Sequence, residues 1–189
     1  MVRREKAKTT ALVLTAVVMT ISIVCHYSHF PVAGFGICKG STILARLLYS
    51  FFHASFIHAL LNCWSLLAIV FYFDVSVSLI LLAYLIAATF PVDTVSSYVF
   101  ISDEPTVGLS ALCFALVGMV ALQVEGKRLY NLCVIAYIFF GVCVHYFGSL
   151  FGFDMAMPNF VIHLYCYLFG LFIAFLNMPA PWKRKSRKY

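Results

Sequence analysis

Six long stretches of this chain carry no Asp, Glu, Lys or Arg: residues 9–38, 47–73, 75–92, 105–124, 129–153 and 155–182. A backbone inside lipid must satisfy its own N–H and C=O groups, so only helices and closed barrels can cross. A crossing helix needs about 20 apolar residues. The runs place six spans at about 10–27, 54–73, 76–92, 106–123, 129–147 and 158–178. Barrel strands would alternate polar and apolar residues over short segments, which these runs do not do. Composition agrees, with 63% hydrophobic and 11% charged residues, against about 25% charged in a soluble domain. It excludes a soluble globular protein, a nucleic-acid binder with a basic face and a disordered chain. Six helices take up about 120 residues, so a single domain over residues 1–189 is expected. The fold class is an all-α membrane protein, a six-helix bundle.

The sites of Lys and Arg set the expected orientation. Arg3, Arg4, Lys6 and Lys8 form a basic tail at 1–9, and Lys183, Arg184, Lys185, Arg187 and Lys188 form another at 179–189. Lys127 and Arg128 occupy the fourth connection. With six spans these segments share one side, and they hold 11 of the 13 basic residues. Both termini are therefore expected in the cytoplasm of a cell-membrane protein. With Glu5, Asp74 and Glu125 that side carries a net +8, and the other side, with Lys39, Arg46, Asp93, Asp103, Glu104 and Asp154, a net −2. The overall +6 thus reports topology and contact with anionic lipid rather than nucleic acid.

The first apolar run resembles a signal peptide, but its length and the five runs after it read as an uncleaved signal-anchor. The connection at about 28–53 is not plainly hydrophilic. Phe30, Val32, Phe35, Ile43 and Leu44 suit a loop embedded at the lipid interface, provided its backbone is satisfied. Seven cysteines are scattered through the chain, and small polarizable packing residues are the plain reading. Cys25 and Cys38 both lie near the outer side, where an oxidising compartment would let them pair.

Uncharged polar side chains inside the spans are the place to look for chemistry. The second span holds His58 and Asn62, the fourth Ser110 and the sixth His163. All three spans run from outside to inside. At 1.5 Å per residue, Ser110 lies roughly 6 Å below the outer boundary, His163 roughly 8 Å, and His58 and Asn62 roughly 6–12 Å. Alone, each has an ordinary explanation: a serine bonding its own backbone, an interfacial histidine, an asparagine joining two helices. A shared depth on three helices is harder to assign to chance. Serine and histidine on facing helices make a nucleophile and its general base. His58 and Asn62, at i and i+4, project from one face and can donate to an oxyanion.

Close helix approach needs small residues. The fourth span offers Gly108, Ala111, Ala115 and Gly118, and the sixth Cys166 and Gly170. His163, Tyr167 and Gly170 share a face. Phe114, one turn below Ser110, can pack on the imidazole. With no carboxylate in any span, a serine–histidine dyad is the nucleophilic arrangement available. A zinc protease would need a His-Glu-x-x-His helix, and an aspartyl pair two in-membrane carboxylates. Neither is present. His53 and His58, five apart, diverge by about 140° and make a poor metal pair. No metal or other cofactor is expected. A transporter would ordinarily carry charge within the membrane.

Three motifs resemble those of the rhomboid family of intramembrane serine proteases, in its minimal bacterial-type form. The second span reads HASFIHALLN, His53 to Asn62, similar to the family's His-x4-His-x3-Asn. The fourth reads GLSALCFALVG, Gly108 to Gly118, similar to Gly-x-Ser-Gly with a second glycine eight residues after the serine. The sixth reads HLYCYLFG, His163 to Gly170, similar to His-x2-Gly-x3-Gly. The resemblance covers about 50–178. Ala111 and Cys166 replace two glycines, Phe114 stands where the family often has Tyr, and the family's Trp-Arg pair in the first outer loop is missing, with Arg46 as partial stand-in.

The resemblance implies transmembrane protein substrates that enter laterally from the lipid bilayer. It implies a site opening to the extracytoplasmic side. Ser110 and His163 would be catalytic, with the oxyanion held by the Ser110 N–H, His58 and Asn62. His53 would shape the water-accessible entrance. The fifth span and the connection 148–157, with Gly148, Gly152, Met155 and Met157, would be a gate and cap. A non-catalytic relative that binds or escorts transmembrane clients is the rival, and the two lost glycines are its motive.

Overall fold

The computed structural model describes residues 2–96, 105–150 and 160–177. Eight α-helices lie among these residues: α1 (Val2–Ser28), α2 (Ile43–Leu48), α3 (Phe56–Tyr72), α4 (Val77–Ala88), α5 (Val92–Val95), α6 (Ser110–Val120), α7 (Lys127–Leu150) and α8 (Phe160–Leu176). No strand occurs among the described residues, where Ile37 and Thr106 form an isolated antiparallel bridge. One helix falls in each expected run: α1, α3, α4, α6, α7 and α8. The expected cap residues Gly152, Met155 and Met157, the acids Asp103, Glu104 and Asp154, and the basic tail after 178 lie outside the described residues.

Side chains start three of the helices. Thr42, Ser55 and Ser76 hold extended backbone and accept N–H bonds from Ala45, His58 and Leu79, satisfying donors that the first turn leaves free. The N-terminal segment is not a separate tail. Its Arg-Arg-Glu-Lys-Ala-Lys run is made of good helix formers, so α1 begins at Val2. Lys8 pairs with Glu5 at 2.9 Å, and Arg4 reaches the Phe71 carbonyl at 3.0 Å.

Helices α4 and α6 fall furthest short of the spans expected for them. α4 stops at Ala88 rather than about 92 because Pro91 follows, with no N–H to extend the helix. Helix α6 begins at Ser110 rather than about 106. Gly108 has φ +131°, outside the helical region and open to glycine. Residues before it run beside Ile37, with reciprocal bonds of 2.8 and 3.0 Å between Ile37 and Thr106. Among the described residues α1 is the helix that is by itself long and apolar enough to cross a membrane. Residues 43–51 and α3 form a pair bent by 82° that passes together. The other apolar helices, α4, α6 with its following turn, and α8, are shorter.

Helix α6 is the centre of the bundle. Eight of its eleven residues are buried, between α8, α4 and α3. Leu66, Val70, Phe90, Leu112, Leu116 and Ile162 fill the core around it. Apolar side chains elsewhere point outward, among them Trp64, Leu61, Leu168 and Phe172, as expected where lipid is the solvent. On the connection between α1 and α3, Phe30, Phe35 and Phe52 cluster, with 4.4 Å between the last two rings. Ile43 and Leu44 are exposed there. Arg46 bonds the Ser41 carbonyl and pairs with Asp93, which also accepts the Gly40 N–H at 2.7 Å. The Gly40 N–H first, and then Arg46, hold the Asp93 carboxyl below the usual carboxylate range. Cys25 and Cys38 are free thiols rather than a disulfide.

Candidate active site

Ser110 is the first residue of α6, and no side chain caps that helix. Its opening N–H groups are therefore free of the usual intrahelical partner. The segment leading to it is fixed from outside: Gly108 N–H donates to the Tyr49 carbonyl at 2.9 Å, and Leu109 N–H to His53 Nε2 at 3.2 Å.

Ser110 Oγ lies 2.8 Å from His163 Nε2, on the first turn of α8. That approach rests on glycine. A Cβ on Gly118 would stand 2.2 Å from the Tyr167 carbonyl oxygen, and one on Gly170 2.1 Å from that of Ala115. Both are well inside contact distance, so the backbones touch. Ala111 and Cys166, which replace glycines of the family pattern, are buried in this contact without separating the helices. Phe114 stacks on His163, with 4.6 Å between ring centroids and 28° between planes. Tyr137 of α7 also stacks with Phe114, with 6.2 Å between ring centroids. Among the described residues no carboxylate bonds to His163, so ring packing takes the orienting part that a triad acid would have.

His58 and Asn62 both face Gly108. A Cβ there would meet His58 Cε1 at 3.0 Å, with Asn62 Nδ2 and His58 Nε2 each at 3.2 Å. The absence of a side chain on Gly108 thus lets His58 and Asn62 pack closely against the segment that leads to the serine. Asn62 is buried, and among the described residues its Nδ2 has no partner. An unmade buried bond costs about 1–3 kcal/mol, which an incoming oxyanion would recover.

His53 is placed differently from its expected role at an entrance. It is buried, 4% exposed, because its ring sits behind the pre-serine segment, edge-on to His58 at 5.1 Å. It stands at the break between residues 43–51 and α3, the pair bent by 82°. Two contributors were not read from the sequence, the Tyr49 carbonyl and the Leu109 N–H. Both are backbone groups, and side-chain patterns carry no signal for them.

Ser110 and His163 thus meet at the first turns of two helices, α6 and α8, of a helical bundle. The family model for the Rhomboid domain matches residues 40–180, so this chain belongs to the rhomboid family and is a multi-pass membrane protein. No curated protein and no solved structure matches it.

Proposed function

We propose that this chain is an intramembrane serine endopeptidase that cleaves transmembrane segments of other membrane proteins. The observation that carries the reading is the 2.8 Å contact between Ser110 Oγ and His163 Nε2, beside a buried, unpartnered Asn62 amide. The whole chain, 1–189, acts as one six-span domain with both termini in the cytoplasm and the site open to the extracytoplasmic side. The excess of Lys and Arg in the tails and at 127–128 supports that orientation.

In this reading His163 Nε2 takes the Ser110 proton as Oγ attacks the scissile carbonyl carbon. The carbonyl oxygen becomes an oxyanion held by the Ser110 N–H, Asn62 Nδ2 and His58. His163 then returns the proton to the leaving amine as the C–N bond breaks, leaving the acyl group on Oγ. Water, deprotonated by His163, attacks the ester. The carboxylic acid leaves and Oγ regains its proton. Phe114 holds the imidazole plane throughout.

A fluorophosphonate probe tests this. Labelling at Ser110 that disappears in His163→Ala supports an active dyad. The second reading, a non-catalytic rhomboid protein that binds or escorts transmembrane clients, is motivated by Ala111 and Cys166 where the family pattern has glycine. It expects no labelling at Ser110.

A further inference from the structure

Among the described residues, Thr106, Gly108 and Leu109 donate N–H bonds that hold the segment before Ser110, and that of Leu109 ends on a side chain. Thr106 bonds to Ile37 and Gly108 to Tyr49, both through carbonyls that any sequence would supply. Leu109 N–H ends on His53 Nε2, from a residue 56 positions earlier. The Leu109 carbonyl is fixed as well, accepting the Cys113 N–H at 3.1 Å. That carbonyl belongs to the same peptide unit as the Ser110 N–H. Pinning both ends of Leu109 therefore sets the direction of the Ser110 N–H and the starting point of its side chain. No cap on α6 performs this task instead.

We infer that His53 is a positioning residue for the nucleophile: its Nε2, as acceptor for the Leu109 N–H, holds Ser110 in register with His163 and with the donors beside Gly108. The inference rests on the protease reading above. Its ring also leans edge-on against His58, so one buried side chain braces both the serine segment and one oxyanion donor. An apolar residue of similar size would fill the volume but leave the Leu109 N–H without its acceptor. Displacements of about 1 Å in such a constellation can cost about 10²-fold in rate.

Replacement variants separate positioning from filling. Gln places a carbonyl oxygen near the position of Nε2, Asn places one too close to the backbone, and Leu has none. The measurement is the rate of Ser110 labelling by a fluorophosphonate, with kcat and KM on a transmembrane substrate and the thermal unfolding midpoint for each variant. His53→Leu and His53→Asn are expected to label about 10²-fold more slowly, with the loss in kcat and KM within about twofold. His53→Gln should recover most of the rate. Equal labelling of His53→Leu and wild type overturns the inference, as does a His53→Gln rate as low as that of His53→Leu. If His53→Leu does not fold, the comparison of Gln with Asn decides in the same way. Failure of the wild-type protein to label is a separate outcome: it refutes the protease reading, and the inference falls with it.

Discussion

Gly170 lies so close to Ala115 that a Cβ built on it would stand 2.1 Å from the Ala115 carbonyl oxygen. This contact, with its counterpart at Gly118, sets how near α8 can come to α6, and hence whether His163 reaches Ser110. Gly170→Val should push the helices apart, with a stability loss of about 1–3 kcal/mol from overpacking. Thermal unfolding in detergent reads the stability, and probe labelling of Ser110 reads the distance. Unchanged stability and labelling would show that the crossing is looser than this geometry.

Asn62 presents a buried donor with no partner. Asn62→Ala should lower turnover by about 10²–10³-fold, the effect of losing one oxyanion donor. Since no bond within the protein is broken, the unfolding midpoint should hold or rise. Full turnover in Asn62→Ala would remove it from the site.

Phe114 orients His163 by stacking. Aromatic pairs contribute about 0.5–1.5 kcal/mol beyond area burial, so Phe114→Leu should reduce kcat by about two- to tenfold. Phe114→Tyr keeps the ring and should stay near the wild-type rate. A loss in Phe114→Tyr equal to that in Phe114→Leu would mean that stacking is not what matters.

Asp93 ties the outer connection down through Gly40 N–H and Arg46. Its folded pKa is lowered, so the tether's contribution is present above the unfolded carboxylate value. It is lost as pH falls through the depressed folded value. Amide exchange at Gly40 should be protected at neutral pH and speed up beyond the intrinsic trend on acidification. Asp93→Ala, which removes the acceptor, should lose that protection at neutral pH. Exchange that is equally slow in both proteins would contradict the tether.

Much of the site was legible in the chain because side chains carry it. Ser110, His163, His58 and Asn62 stand out once charge is absent from the spans, and their helical spacing puts them at one depth. The small residues on α6 and α8 announced a close crossing. Other parts were hidden for physical reasons. The start of α6 depends on the φ of Gly108, which hydrophobic periodicity does not sense, so the helix was expected four residues too early. The partner of His53 is a backbone N–H, invisible to residue-type patterns. The Arg46–Asp93 pair joins positions 47 apart on two short segments, where no periodicity links them.

Cleavage itself is the most direct test. Purified protein, reconstituted with a model transmembrane substrate, should cut it near the outer membrane surface, and Ser110→Ala should not. Cleavage by Ser110→Ala at the wild-type rate, or no cleavage by the wild-type protein across a panel of such substrates, would contradict the account.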